Sequence, residues 1–306
     1  MVVNSEQKFG ALIGFIGLGV MGEPMAQNLM RCGYHILVHN RSNEAVERLV
    51  ELGAARADTP HDVAAQSQTV VTMLPDTPDV ETVYFGSRGL FESCQPGTLL
   101  IDMTTANAEI ARRIYDRARA LGAESLDAPV SGGDVGAREA SLSIMVGGDP
   151  DTFERALPIF QAMGKNIVYM GSAGAGQVTK ACNQIVVGVT IEAIGEALAL
   201  GKRAGIDLWQ LREALMGGLA RSRVLDLLGQ RAIEERYDPG FRIRLHQKDL
   251  GIGLSIAADY GLSLPGAELV YSMMETLVTE GHGTMDHSYL IRHGISAIPQ
   301  HQREEA

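Results

Sequence analysis

Short apolar runs alternate with amphipathic stretches through the first part of the chain. "LIGFIG" (12–17), "HILVHN" (35–40), "TVVTML" (69–74) and "GTLLIDM" (97–103) read as strands, followed by "ESLDAPV" and "LSIMVGG", with helices between them. That alternation predicts β-α-β units around a parallel sheet. After Gly171 the texture changes. From Gly174 to about Gly205 the chain carries no Pro and is apolar around much of a helical circumference, as a buried helix would be. Roughly 30 residues at about 1.5 Å each make a helix of about 45 Å, long enough to connect two domains. The rest reads as further helices broken at "GIDL", "MGGLA", "YDPGF" and "YGLSLPG", and the polar tail "HQREEA" is expected to fray. The prediction is an α/β domain over 1–172 and an all-α domain over 173–306, joined by a helix at about 174–204. No fixed-period repeat interrupts this plan.

Composition narrows the partners. A chain of 306 residues, with 45% hydrophobic and 21% charged residues, has the makeup of a soluble globular protein of two domains. Its net charge of -11 argues against nucleic acid, because phosphate contacts need a basic surface and no run of Lys or Arg offsets the sign. Cys32, Cys94 and Cys182 are odd in number and far apart, which fits neither a disulfide framework nor a thiolate metal site and suits a reducing cytoplasm. The run "FGALIGFIGLGVMG" has one preceding Lys8, no small-residue cleavage pattern and too many glycines for a membrane span. It reads as a buried strand entering a turn. The eight histidines show no HExxH or comparable spacing, so no metal is expected.

That turn carries the first chemistry. Gly17, Gly19 and Gly22 form GxGxxG between a strand and a helix, with Leu18, Val20 and Met21 filling the loop. Gly17 permits the tight turn, Gly19 lets backbone approach a pyrophosphate, and Gly22 allows the helix to pack close to the sheet, while the helix N-terminus faces the phosphates. The pattern is the fingerprint of a Rossmann-type dinucleotide domain. About 20 residues on, an acid would hold the ribose of NAD, but Asn40 and Arg41 stand there, followed by Ser42 and Asn43. Asn40 removes the repulsion a carboxylate would exert on the extra phosphate of NADP, and Arg41 offers a planar fork suited to it. NADP(H) is therefore favoured over NAD(H). The competing reading makes Arg41 a solvated loop cation and Ser42 only a helix N-cap.

A second constellation is the Ser131-Gly132-Gly133 turn, whose amides can converge on a carboxylate or a developing oxyanion. A plain turn would look the same. "GAGQVTKACNQ" adds Lys180 near the start of the long helix, with Asn183 and Gln184 three and four residues on and so within reach of the same region. A lysine on so apolar a helix is costly unless paired or used, and burial lowers a lysine pKa from about 10.4 toward the range of a general acid. "PGFRIRLHQKDL" puts Lys248 and Asp249 on a helix, where such residues are most often surface charges; Lys248 could also lean against a substrate carboxylate or the nicotinamide ribose.

Taken together, the glycine fingerprint with "MGEPMAQNL", then "MLP" (73–75), "DMTT" (102–105), "DAPVSGG" (127–133), "GAGQVTKACNQ" (174–184) and "PGFRIRLHQKDL" (239–250) resemble the β-hydroxyacid dehydrogenase family, in the family's order and over nearly the whole chain. The resemblance implies an NAD(P)-dependent oxidoreductase with Lys180 as the catalytic acid/base and Asn183 as its partner. It implies that Ser131, Gly132 and Gly133 anchor the substrate together with Gln184. Met73, Leu74, Pro75 and Thr104 would line the nicotinamide side, and Lys248 would close the site. The expected substrate is a small carboxylated aldehyde, tartronate semialdehyde going to glycerate, with methylmalonate semialdehyde and succinic semialdehyde as alternatives. A non-catalytic dinucleotide-binding module is the reading of a different class. Two departures matter: many relatives carry an acid where Asn40 stands, and some place the amide four residues after the lysine, at Gln184. The Met- and Leu-rich helical part points to a homodimer or homotetramer.

Overall fold

The computed structural model describes residues 12–296; the expected frayed tail and the stretch around Lys8 lie outside the described residues. In chain order the elements are β1 (Leu12–Ile16), α1 (Gly22–Arg31), β2 (His35–His39), α2 (Asn43–Glu51), β3 (Ala55–Arg56), α3 (Pro60–Gln66), β4 (Thr69–Thr72), α4 (Thr77–Phe85), β5 (Leu99–Asp102), α5 (Ala108–Ala120), β6 (Glu124–Asp127), β7 (Val130–Ser131), α6 (Gly133–Arg138), β8 (Leu142–Gly148), α7 (Pro150–Gln161) and β9 (Gly164–Gly171). They are followed by the helices α8 (Ala175–Arg203), α9 (Leu208–Met216), α10 (Gln230–Ile233), α11 (Ile243–Asp259), α12 (Pro265–Thr279) and α13 (Tyr289–Ser296). Two compact units divide between Lys180 and Ala181, inside α8.

In the first unit, β3-β2-β1-β4-β5-β6 run parallel, and β8 continues the sheet antiparallel to β6. This is the doubly wound order, in which the direction of winding reverses between β1 and β4 and ligands bind beyond the carboxyl ends of the strands. Side chains alternate between the two faces. Ile13, Phe15, Ile36, Val38, Val71 and Ile101 enter one core, while Leu37, Val70 and Leu100 enter the other. Helix starts are fixed by short polar side chains. Thr59 accepts from the Asp62 amide, Asp76 from the Thr77 amide and Asn107 from the Ile110 amide. Each such cap is worth about 1 kcal/mol.

The strands end earlier than the apolar runs suggest. β1 stops at Ile16, β2 at His39, β4 at Thr72 and β5 at Asp102, so Gly17, Asn40, Met73 to Pro75 and Thr104 all fall in the loops at the carboxyl ends. "ESLDAPV" divides into β6 and β7. The two-residue β3 has no apolar run to announce it, and β9, whose run Ile167 to Met170 is largely exposed, was not among the expected strands.

α8 departs from the expectation of burial all round. Gln177, Lys180, Ala181, Gln184, Gly188, Ile191, Ile194 and Leu198 form a buried stripe at helical spacing, while Val186 is 65% and Leu200 73% exposed. By length and composition α8 is also the one helix among the described residues that would suffice to cross a membrane. The second unit has its own core, in which Ile191 and Leu198 meet Leu250, Val270, Met274 and Leu277.

Candidate active site

The glycine loop is built by contacts that exclude side chains at two positions and invite a ligand at the third. Gly17 has φ +94°, and a Cβ there would lie 2.2 Å from the carbonyl oxygen of Met73. A Cβ on Gly22 would lie 1.9 Å from the carbonyl oxygen of Gly17, so α1 packs directly under the loop. At Gly19 a Cβ would meet nothing within 4 Å. That open face over the start of α1 fits a pyrophosphate approaching backbone. Of the residues between, Leu18 is core, Val20 is exposed and Met21 is half-buried.

Asn40 has a use that sequence reasoning missed. Its Oδ1 accepts from the Leu18 amide at 3.0 Å, and its Nδ2 donates to the Ser42 carbonyl at 3.0 Å and to Ser42 Oγ at 2.9 Å. The amide thus ties the glycine loop to the turn after β2. A carboxylate could accept from Leu18 but could not donate to the Ser42 carbonyl. Arg41 is 82% exposed and pairs with Asp79 at 3.1 Å.

The loops after β4 and β5 are locked together. The Leu74 amide donates to Thr104 Oγ1 at 2.9 Å, and the Thr104 carbonyl accepts from Gln177 Nε2 at 2.8 Å, while Gln177 Oε1 takes the Ala106 amide at 3.0 Å. Beneath them lies Asp102, whose Oδ1 accepts from Thr72 Oγ1 at 2.7 Å and the Thr104 amide at 3.2 Å. Tyr84 OH stands 3.1 Å from Thr72 Oγ1. Asp102 Oδ2 is buried with no hydrogen-bond partner among the described residues. Burial pushes the Asp102 carboxyl up to about 6, against the hydrogen bonds from Thr104 and Thr72.

Asp127 is the neighbouring carboxylate, in register with Asp102 across β5 and β6. Its Oδ1 accepts from the Gly174 amide at 2.7 Å and its Oδ2 from the Gln177 amide at 2.9 Å. Burial raises its pKa and those amide bonds oppose the rise. They satisfy orphan donors at the start of α8 and hold that helix against the sheet, so closely that a Cβ on Gly176 would lie 2.4 Å from the Met145 carbonyl oxygen. One turn beyond Gln177 stands Lys180, only 6% exposed. Nearby in sequence to Asp127, Ser131 ends β7, and Gly132 (φ +140°) and Gly133 (φ +64°) follow it. Both glycines are exposed, and a Cβ on Gly133 would meet nothing within 4 Å. The turn leaves room for a ligand to come close to backbone.

In the second unit, Asn183, Gln184 and Lys248 form one hydrogen-bonded chain. Asn183 Nδ2 donates to Gln184 Oε1 at 2.9 Å, Gln184 Nε2 to Asp249 Oδ2 at 2.7 Å, and Lys248 Nζ lies 3.0 Å from Asp249 Oδ1. Asp249 is therefore not the surface charge its sequence position suggests. It is buried, as a carboxylate can be when both oxygens are paired. Behind the chain, His246 Nε2 lies 3.1 Å from the Gln184 carbonyl, and its Nδ1 faces His287 Nδ1 at 3.0 Å, so one ring donates and the other accepts. Asp102, Asp127, Gln177, Asp249 and His246 were missed as contributors, although all five lie inside the motifs "DMTT", "DAPVSGG", "GAGQVTKACNQ" and "PGFRIRLHQKDL". Among the described residues no group of three or more His, Cys, Asp or Glu is gathered as metal ligands would be.

Known proteins resemble this chain over both units. A family model for the NAD binding domain of 6-phosphogluconate dehydrogenase matches residues 12–171, and one for the NAD-binding of NADP-dependent 3-hydroxyisobutyrate dehydrogenase matches residues 174–293. The 2-hydroxy-3-oxopropionate reductase of Escherichia coli is 43% identical over 280 residues, 92% of this chain and 96% of its own. The NAD-dependent L-serine dehydrogenase of Pseudomonas aeruginosa is 38% identical over 283 residues, 90% of this chain and 95% of its own. Among solved structures, Mycobacterium tuberculosis 3-hydroxyisobutyrate dehydrogenase with L-serine has a TM-score of 0.85 at 31% identity, covering 92% of this chain and 98% of that one. With the glycine loop, the buried lysine and these matches over both units, the chain belongs to the β-hydroxyacid dehydrogenases of the 3-hydroxyisobutyrate dehydrogenase type, NAD(P)-dependent oxidoreductases acting on CH–OH groups.

Proposed function

We propose that this chain reduces tartronate semialdehyde to glycerate, using NADPH in preference to NADH. The observation that carries the reading is Lys180, buried on a helix whose first turn is pinned by Asp127. The 43% identity to a 2-hydroxy-3-oxopropionate reductase supports the substrate. Asn40 in place of an acid, and Arg41 beside it, support NADPH, as does the match to a model named for an NADP-dependent enzyme.

When bound, the dihydronicotinamide supplies the hydride that reduces the aldehyde carbon. The pyrophosphate would lie against the backbone at Gly19, in the loop that Gly17 and Gly22 shape and that Leu18, Val20 and Met21 complete. Met73, Leu74, Pro75 and Thr104 line the nicotinamide side. Ser131, Gly132 and Gly133 bind the substrate carboxylate through hydroxyl and backbone amides. Lys180 holds the proton that passes to the aldehyde oxygen as negative charge develops there, so one aldehyde, one hydride and one proton give one primary alcohol. Asn183 and Gln184 orient the substrate oxygens, and Lys248 contributes a positive charge facing the carboxylate and the ribose. The Lys248–Asp249–Gln184–Asn183 chain supports these assignments by holding its members in fixed rotamers.

The test is an initial-rate comparison on the purified protein. Tartronate semialdehyde with NADPH is expected to turn over at least tenfold faster than with NADH, and Lys180→Ala is expected to bind cofactor while losing most of kcat. Near-normal turnover by Lys180→Ala overturns the acid/base assignment. Fast turnover with NADH keeps the enzyme and removes the NADP preference. No turnover with either cofactor removes tartronate semialdehyde, and loss of every semialdehyde and hydroxyacid activity would favour a non-catalytic binding module. A second reading rests on the relatives named for L-serine and 3-hydroxyisobutyrate: oxidation of a 3-hydroxyacid by NAD, which the same groups serve in reverse. Assembly as a homodimer or homotetramer and residence in the cytoplasm complete the proposal, the latter supported by three free cysteines.

A further inference from the structure

Arg41 alone makes a weak phosphate site. It is largely solvated and engaged with Asp79, whereas a phosphate monoester carries close to two negative charges at neutral pH. A second cation stands nearby on the edge strand. Arg56, in β3, lines with His39, Asn40, Arg41, Asn43, Val46, Ala57 and Asp58 a cavity of about 250 Å³ next to the end of β2.

β3 is short, but it is tied to β2 by backbone and side-chain hydrogen bonds. It pairs with β2 through Leu37↔Ala55 and Val38↔Arg56, the Ala57 amide donates to the Val38 carbonyl at 2.9 Å, and His39 Nδ1 lies 3.2 Å from the Ala57 carbonyl. Arg56 Nη2 donates to Asn43 Oδ1 at 3.2 Å, at the first residue of α2, and its Nε lies 3.5 Å from Asp58. A guanidinium has five N–H donors, so these contacts leave donors over for a ligand. The cavity therefore brings together two guanidiniums, the Asn43 amide and the residue, Asn40, that replaces the usual ribose-binding acid.

We infer that Arg56 is the second cation of an adenosine 2′-phosphate subsite, acting with Arg41 and Asn43, and so determines cofactor specificity from a strand outside the glycine motif. The inference rests on the NADPH reading above. Arg41 pairs with Asp79 and Arg56 lies beside Asp58, so a second guanidinium lining the same cavity adds the positive charge and N–H donors that Arg41 alone does not supply to a phosphate.

The experiment is calorimetric binding of 2′,5′-ADP and of 5′-AMP to the full-length protein and to Arg56→Ala, with NADH turnover as the check that the variant is folded. The wild type is expected to bind 2′,5′-ADP at least tenfold tighter than 5′-AMP. Arg56→Ala is expected to weaken 2′,5′-ADP by tenfold or more and to raise KM for NADPH, while 5′-AMP binding and NADH turnover stay within twofold. Unchanged 2′,5′-ADP affinity in Arg56→Ala, beside a wild type that does prefer it, overturns the role of Arg56 and leaves the NADPH reading in place. A wild type that binds the two nucleotides equally overturns both. Equal weakening of both nucleotides makes Arg56 a general structural residue and also overturns the inference.

Discussion

Asp102 is the residue whose chemistry departs furthest from its sequence appearance. It ends a buried strand, accepts two hydrogen bonds on one oxygen, and leaves the other buried without a partner among the described residues. Its folded-state pKa of about 6 stands above the ordinary value of 3.8. A carboxyl raised in this way contributes stability fully present below the unfolded pKa and lost as pH rises through the folded one. The affected window is therefore about pH 4 to 6, and two pKa units correspond to roughly 3 kcal/mol. Asn is nearly isosteric and stays neutral. Asp102→Asn is expected to be close to or below wild-type stability at pH 4 and to gain on the wild type by up to that amount at pH 7, measured by urea unfolding at four pH values. A stability difference that does not change with pH would show that Asp102 ionises normally. The glycine fingerprint, Lys180 and the Ser131 turn were legible because each is a residue type in a fixed local spacing. The partners of Asn40 were not, since Leu18 lies 22 residues away and only the meeting of β1 and β2 brings the pair together.

At the scale of elements, sequence period identified the strands that carry long apolar runs and failed for those that do not. β1, β2, β4 and β5 are buried runs, whereas β3 is two exposed residues with no run at all and β9 carries only the short run Ile167 to Met170, flanked by Gly, Lys and Asn. The strand ends were read long by one or two residues for a physical reason. Met73 and Met103 continue the apolar run, and Met73 also still donates to the Ile16 carbonyl at 2.9 Å, yet the chain there turns into the loops. α8 shows the converse case, a helix whose start is set by a distant residue. No capping box precedes it; instead Asp127 reaches the Gly174 and Gln177 amides across 47 and 50 residues. Asp127→Ala leaves those buried donors unsatisfied, at a cost of about 1–3 kcal/mol each at most. It also frees the turn that sets Lys180. The expected outcome is a Tm several degrees lower together with a kcat loss of tenfold or more at little change in cofactor affinity, read by calorimetry and steady-state kinetics. Loss of Tm with kcat intact would make Asp127 a fold residue with no bearing on the lysine.

For the molecule as a whole, the question left by the two cores is what the second unit does with its exposed apolar side chains. Ile191, Ile194 and Leu198 of α8 enter that unit's core, and on another side of the same helix Val186, Ala193 and Leu200 are exposed at intervals of seven residues. Residues seven apart lie two turns apart on one face, the spacing by which helices pack along each other. Leu269 in α12 and Leu219 after α9 are exposed as well. Removing a large aliphatic side chain from water is worth about 1.5–3 kcal/mol, so a stripe repeated on two copies favours association that buries it. A C2 interface would place the stripe of one copy against the same stripe of the other, each residue counted twice. Sedimentation at micromolar concentration is expected to show a dimer or tetramer. Val186→Glu combined with Leu200→Glu is expected to shift it toward the monomer while far-ultraviolet circular dichroism stays unchanged, because neither side chain enters the core of its own chain. A wild type that sediments as a monomer would remove the proposed assembly, and an oligomer indifferent to both substitutions would move its interface away from α8.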